Sequence, residues 1–464
     1  MLHLLGLTLP LALLAQAALP SADPTHTEDT LRRRADWRTR IAEPSGDSGA
    51  AVRRVDAGSA AERAGLRAGD RIVAVNGKPV TNLDGFSPVF QKLRGGDSVR
   101  ARVVRTDSAR GRADTLEVRF VLDSVAHERI PGTVTTYGAI RSERGYLLRS
   151  VVSRPERSIG GKLPGVLFIP WLSCDPVEKP VPGNDGFAHM LRDVASHSGM
   201  VVMRVEKPGL GDSEGPDCRF GGLDDERASH RAGLKALRSM PEVDPNRIYL
   251  LGGSIGGALA PILAAEQPEG IAGVIAVGGY TLTWYEHMLD IERRRLTLSG
   301  VKPAEVNAAM RGFAQFYTDY LIGRKAPGEV LAARPELKPL WYDEPGHQYG
   351  RPAAYYQAVQ QLDVENAWAK LAELGIPALV VRGDYDWIMG PLEAERPVEI
   401  VNATRPGLAK LVLLPKTDHG LMAYESMAAA FNHDKPRNDG GAGRAVSAWL
   451  KQQASRPATA ATRR

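Results

Sequence analysis

Gly252-Gly253-Ser254-Ile255-Gly256 places a serine among small residues. It follows the run Arg247–Leu251, which reads as a buried strand, and precedes GALAPILAAEQ, whose small residues suit a tightly packed helix. A strand that turns into a helix over so few residues strains the backbone at the serine, and only small neighbours let the two elements come that close. The turn lifts the hydroxyl clear of the sheet edge at a helix N-terminus. A hydroxyl attacks a carbonyl only when a base takes its proton. The chain has ten histidines. His3 and His26 lie near the N-terminus, His189, His197, His230 and His287 on predicted helices, and His127, His347 and His433 in polar loops; all nine are expected at the surface or in packing. His419, in PKTDHG, directly follows the run Leu411–Leu414. ALVVRGDYDWIM carries two carboxylates, Asp384 and Asp386, behind another apolar run. The histidines form no HExxH or comparable spacing, so neither a metal nor another cofactor is expected.

Positioning these groups requires an alternation of strands and helices. Gly165–Ile169, Met200–Val205, Arg247–Leu251, Ile271–Val277, Ala378–Arg382 and Lys410–Leu414 are short and apolar, as strands buried on both faces should be. Tyr137–Ile140 and Tyr146–Val152 read as an opening antiparallel pair, and Asp225–Met240 as an amphipathic helix. This pattern predicts an α/β class with a wound, mostly parallel sheet.

With its nucleophile turn in that context, the region 131–455 resembles the α/β-hydrolase superfamily. The resemblance implies the chain order Ser, acid, His, and hence a triad of Ser254, Asp386 and His419. Asp386 is preferred over Asp384 because Gly383–Asp386 matches the family's Gly-x-x-Asp pattern; Asp418 adjoins His419 and is discounted. The oxyanion hole would use the backbone N–H of Ile255 and one from the loop after Gly165–Ile169. The family commonly has His-Gly or Gln-Gly there, whereas this chain has Pro170-Trp171, so the donor is Leu172 or Trp171, with Leu172 favoured by the strand end. Val205–Gly215 resembles the family's Gly-x-Gly-x-Ser-x-Gly loop and is not a dinucleotide fingerprint. A helical cap is expected over about 281–370, its aromatics mostly packing and some lining an acyl pocket. In this fold the loops carrying Cys174 and Cys218 emerge at one sheet edge, so the two cysteines are expected to form a disulfide with Cα atoms about 5–6 Å apart.

A second resemblance lies upstream. AVRRVDAGSAAERAGLRAGDRIVAVNGKPV resembles a bacterial-type, mainly-β PDZ domain, placed here at 46–123. It implies strands at Ala51–Val55, Arg71–Val75, Val99–Arg105 and Leu116–Leu122, a hairpin turn at Asn76-Gly77, and a helix Pro88–Leu93 beside a peptide groove. Gly49-Ala50-Ala51-Val52 would be the carboxylate-binding loop, receiving a peptide or protein C-terminus. A structural spacer with a vestigial groove is the alternative. Since this groove is not part of the triad, removing residues up to about Ala126 is expected to spare small-ester hydrolysis.

MLHLLGLTLPLALLAQAALPSADP has an apolar stretch followed by Ala15-Gln16-Ala17, the pattern of a secretory signal peptide, here 1–22. A polar leader is expected over 23–45, and export to the periplasm or medium would suit the disulfide. No later stretch predicts an integral membrane domain. The 59 basic and 54 acidic residues of this 464-residue chain are interspersed, with no Lys/Arg block, which argues against nucleic-acid binding. The expected activity is serine hydrolysis of a carboxylic ester through an acyl-enzyme. A peptidase or amidase of the same fold, or a catalytically inert peptide-binding scaffold, are the alternatives.

Overall fold

The computed structural model describes residues 31–42, 48–82, 89–107, 112–157 and 160–455. The expected signal peptide, the first part of the leader and Pro88 lie outside the described residues. Two sheets organise the chain. The N-terminal sheet runs in the order β2 (Thr39–Ala42), β3 (Ala50–Val55), β4 (Arg71–Val75), β6 (Ser98–Asp107), β7 (Arg112–Val121), with β5 (Lys78–Pro79) paired to β4. Asn76 and Gly77 have φ of 49° and 82°, the positive pair that a tight hairpin turn demands. Ser59 caps the helix Ala60–Arg63 by accepting from the Glu62 amide. Residues 89–91 are helical.

Two expectations for this region need correction. Part of the predicted leader is structured: Ala35–Asp36 is a strand, β1, paired with β8 (Asp123–Ser124), and β2 is an edge strand. Trp37 between them is buried against Phe90 and Phe120, an apolar anchor that a polar-looking stretch concealed. The predicted carboxylate loop is also occupied. Ala51 and Val52 pair with Ala42 and Ile41 on one side, while Ala50 and Ala51 pair with Ile72 and Arg71 on the other. The Gly49 amide donates to Thr81 O and the Val52 amide to Asp70 O. With the Gly49 and Val52 amides committed, this stretch lies inside the sheet, whose edge strands are β2 and β7.

The second sheet has eight strands in the order β18 (Ala409–Leu414), β17 (Ala378–Gly383), β14 (Ile271–Val277), β13 (Val243–Gly253), β11 (Leu163–Ile169), β12 (Val201–Val205), β10 (Leu147–Pro155), β9 (Thr133–Arg141). β10 runs antiparallel to both its neighbours, β9 and β12, and the other six strands are parallel to one another. The parallel strands carry their helices on both faces, so their side chains pack into two separate cores. The cap is built from Trp284–Leu298, Pro303–Tyr317, Pro327–Ala333 and Ala353–Val359. It ends earlier than expected: helix Val364–Leu374 packs on helices Ile255–Glu266 and Pro391–Thr404 and belongs to the sheet's own layer. Cys174 and Cys218 form a disulfide with Cα atoms 5.7 Å apart, tying the loop after β11 to the loop after β12. Among the described residues no helix is long and apolar enough to cross a membrane.

Candidate active site

β13 delivers Ser254 at the carboxyl end of the central strand, and helix Ile255–Glu266 begins at the next residue. Ser254 has φ 55° and ψ −125°, a conformation that side-chain-bearing residues avoid and that persists only where the surroundings impose it. The surroundings are glycines. A Cβ on Gly252 would strike the Gly256 carbonyl, and one on Gly256 would strike the Ile169 carbonyl. The Ser254 amide donates to Val277 O of the neighbouring strand, which fixes the turn.

Two further loops converge on the hydroxyl. His419 follows β18, and its Nε2 lies 3.0 Å from Ser254 Oγ. Its Nδ1 lies 2.9 Å from Asp386 Oδ2, so Nδ1 carries the proton and Nε2 accepts from the serine. Asp386, 1% exposed, is oriented by the Ile388 and Met389 amides, which donate to Oδ1 at 3.0 and 2.8 Å. Burial opposes a charged imidazole, but Asp386 outweighs it and holds the His419 pKa above its ordinary value. Asp384 is exposed. Asp418 accepts from the Met422 amide and shapes the histidine loop.

The loop after β11 completes the site. Trp171 and Leu172 line the cavity beside Ser254 and Ile255. Lys207 is 2% exposed on its side chain and its Nζ donates to the carbonyls of Trp171 at 2.6 Å, Leu172 at 3.0 Å and Ser173 at 3.4 Å. In a trans peptide the C=O and the next N–H point in opposite directions. Drawing the Trp171 carbonyl onto Lys207 therefore turns the Leu172 N–H away from the lysine. Glu226 binds Lys207 at 3.2 Å and Arg351 at 2.6 Å, and Arg351 also reaches Leu172 O and Cys218 Sγ. Burial lowers the Lys207 pKa, while Lys207 and Arg351 hold Glu226 below the usual carboxylate range against burial.

The cavity above Ser254 measures about 510 Å³. Trp171, Phe187, Trp284, Ile291, Trp387 and Met389 give it apolar walls. The cap adds a polar wall that the sequence reading missed: His287, Glu292, Arg295, Tyr342 and Tyr349. His287, expected at the surface or in packing, is buried against Trp284 and pairs with Glu393 at 3.1 Å, and it also lines this cavity. A signal was present in WYEHMLDIERRR, where Trp284, His287, Ile291 and Arg295 recur at helical spacing and so share one face. Other cap aromatics, Phe313, Phe316, Tyr317, Tyr320, Tyr355 and Tyr356, are buried in packing. No group of His, Cys, Asp or Glu among the described residues could hold a metal.

Residues 52–105 match the family model of the PDZ domain, and residues 185–426 that of the serine aminopeptidase S33. No curated protein matches the chain. Among solved structures, Est1E from Butyrivibrio proteoclasticus is 16% identical, with 69% of this chain and 99% of that one aligned at a TM-score of 0.42. An esterase from Pyrococcus furiosus is 13% identical over 71% of this chain and 96% of its own, at 0.44.

Proposed function

The chain belongs to the serine aminopeptidase S33 family of α/β hydrolases and carries an N-terminal PDZ domain, and from that premise we propose that it is an exported serine hydrolase cleaving carboxylic esters through an acyl-enzyme. The observation that carries this reading is the single imidazole hydrogen-bonded to both Ser254 and Asp386 beneath a largely apolar cavity. Ser254 Oγ attacks the ester carbonyl as His419 Nε2 takes its proton. The tetrahedral oxyanion is received by the Ile255 N–H at the helix start and the Leu172 N–H, the latter favoured over Trp171 by the peptide orientation that Lys207 imposes. His419 returns the proton to the departing alkoxide, and a water activated by the same imidazole deacylates the enzyme. Asp386 keeps the imidazole in its Nδ1–H tautomer and stabilises the imidazolium.

The family's description favours a second reading, an aminopeptidase. A peptide's terminal ammonium would need a free carboxylate in the cavity. Glu292 is already held by Arg295 at 2.7 Å and accepts from the Tyr342 hydroxyl at 2.7 Å. Asp185 caps a helix and pairs with Lys179 at 3.6 Å, while Asp175 is exposed at the cavity's edge. The walls around Ser254 are mostly apolar, which suits an ester better than a charged terminus. The Cys174–Cys218 bridge supports an oxidising compartment. Fluorophosphonate labelling that is lost in Ser254→Ala separates an enzyme from an inert scaffold, and a panel of chromogenic esters beside aminoacyl anilides separates the two activities. Faster turnover of the anilides would overturn the ester assignment.

A further inference from the structure

Away from the triad, three buried carboxylates meet three guanidinium groups. Glu178, Asp212 and Glu206 belong to the second domain, and their side chains are at most 1% exposed. Arg149 of β10 donates to Asp212 at 2.8 Å. The other two guanidinium groups come from the segment just before the PDZ sheet. Arg33 Nη1 reaches Asp212 Oδ2 at 2.5 Å, and its Nη2 lies 2.9 Å from both oxygens of Glu178. Arg34 donates its backbone N–H to Asp212 at 2.7 Å, and its guanidinium reaches Glu178 at 3.3 Å and Glu206 at 3.6 Å. A Cβ at Gly211 would sit 3.1 Å from Arg34 Nη1, so the glycine leaves room for this insertion.

The pocket lies under the oxyanion loop. Glu206 accepts from the Val177 and Glu178 amides at 3.0 and 3.3 Å, while the adjacent residue, Lys207, grips the Trp171–Ser173 carbonyls. Two neighbouring side chains thus hold both ends of the stretch 171–178. Without Arg33 and Arg34, Glu178 and Glu206 lose these ion pairs while Asp212 keeps Arg149, all three carboxylates out of water. They would have to take up protons or admit water, and either loosens the grip of Glu206. Burial already lifts the Glu206 carboxyl to about 7, with Arg34 the chief charge opposing that rise. The same segment is fixed at its other end in the PDZ core through Trp37 and the β1–β8 pairing.

We infer that Arg33 and Arg34 form a positioning strap through which the PDZ domain holds the hydrolase's oxyanion loop in its working geometry. This rests on the serine-hydrolase reading, and it runs against the expectation that the N-terminal unit can be removed without consequence. The test uses the full chain and p-nitrophenyl acetate. Arg33→Ala with Arg34→Ala should lower kcat about tenfold or more, with KM within about twofold. Millimolar guanidinium should restore part of the loss in that variant and leave the wild type unaffected. Arg32→Ala, whose side chain pairs with Asp97 inside the PDZ domain, should leave kcat unchanged. A folded double variant with wild-type kcat overturns the inference, as does a loss that guanidinium does not relieve. Should the double variant fail to fold, Arg33→Lys keeps the charge but not the planar fork spanning Asp212 and Glu178, and an unchanged kcat there is equally fatal. A wild type that takes up fluorophosphonate but hydrolyses no ester refutes the ester reading instead, and the strap is then read from the labelling rate of the same variants.

Discussion

The two sides of the proposed reaction centre are held by different physics. The nucleophile side is fixed by backbone and van der Waals contact: Gly252 and Gly256 admit the crossing of strand and helix, and Ser254 is pinned by one main-chain hydrogen bond. The oxyanion side is fixed by buried charge and by covalent cross-linking: Lys207, Glu226 and Arg351 hold the loop from below, with the Cys174–Cys218 bridge beside it. The steric constraints close on the turn itself and on the strands beside it, at Ile169 and Val277. The electrostatic ones reach out of the sheet and into the cap, as in the Arg351–Glu226 pair. The first kind tolerates nothing larger than hydrogen; the second depends on every partner remaining charged.

That contrast can be probed in order of expected effect. Ser254→Ala removes the nucleophile and should reduce kcat on the order of a million-fold while the protein still folds, as measured by ester turnover beside circular dichroism. Residual activity within tenfold of wild type would place the chemistry elsewhere. Asp386→Asn should lower kcat about 10⁴-fold by favouring the wrong imidazole tautomer. The pH profile gives the same contact a sign. Asp386 holds His419 above its ordinary pKa, and the neutral imidazole is the base, so kcat/KM should fall with acid through a pKa above about 6.5. In the Asn variant that limb should move to lower pH; if Asp384→Asn has the larger effect, the acid has been misassigned.

On the charged side, Lys207→Met should lower kcat about 10²-fold with little change in KM, the size expected for a displaced oxyanion donor. An unaltered rate would detach Lys207 from the loop's function. The smallest catalytic change is expected from Cys174→Ser with Cys218→Ser. The bridge spans 44 residues, and its loss should cost roughly 4 kcal/mol of stability, seen as a lower Tm. The kcat should fall less than tenfold, because Lys207 and Arg351 still hold the loop.

The same contrast explains what could be read before the structure. The Ser254 turn was legible because its small residues stand within five consecutive positions, and the loops of Asp386 and His419 because each follows a recognisable apolar strand. The strand run and the Asn76-Gly77 turn were legible for similar reasons. Lys207 was not: in VEKPGLGDSEG it looks like any loop lysine, and only the fold carries it beneath Trp171. Arg33 and Arg34 stand in a charged stretch typical of a leader. The short edge strand Thr39–Ala42 has no apolar run, which is why it was read as part of the leader. Trp37, a lone large apolar residue in polar surroundings, was the overlooked cue.

The strap also has a consequence for biosynthesis. Arg33 and Asp212 are 179 residues apart in the chain, and translation proceeds from the N-terminus at roughly 5–20 residues per second. Once Ser124 has been made, β8 can close on β1 and the PDZ sheet has all its strands. Until the later residues fold, Arg33 and Arg34 lack the carboxylates that pair with them. The nascent hydrolase then forms its acidic pocket next to a tethered pair of cations, whose effective concentration is that of a short intramolecular link. The small domain serves the large one as a template before it serves as a neighbour.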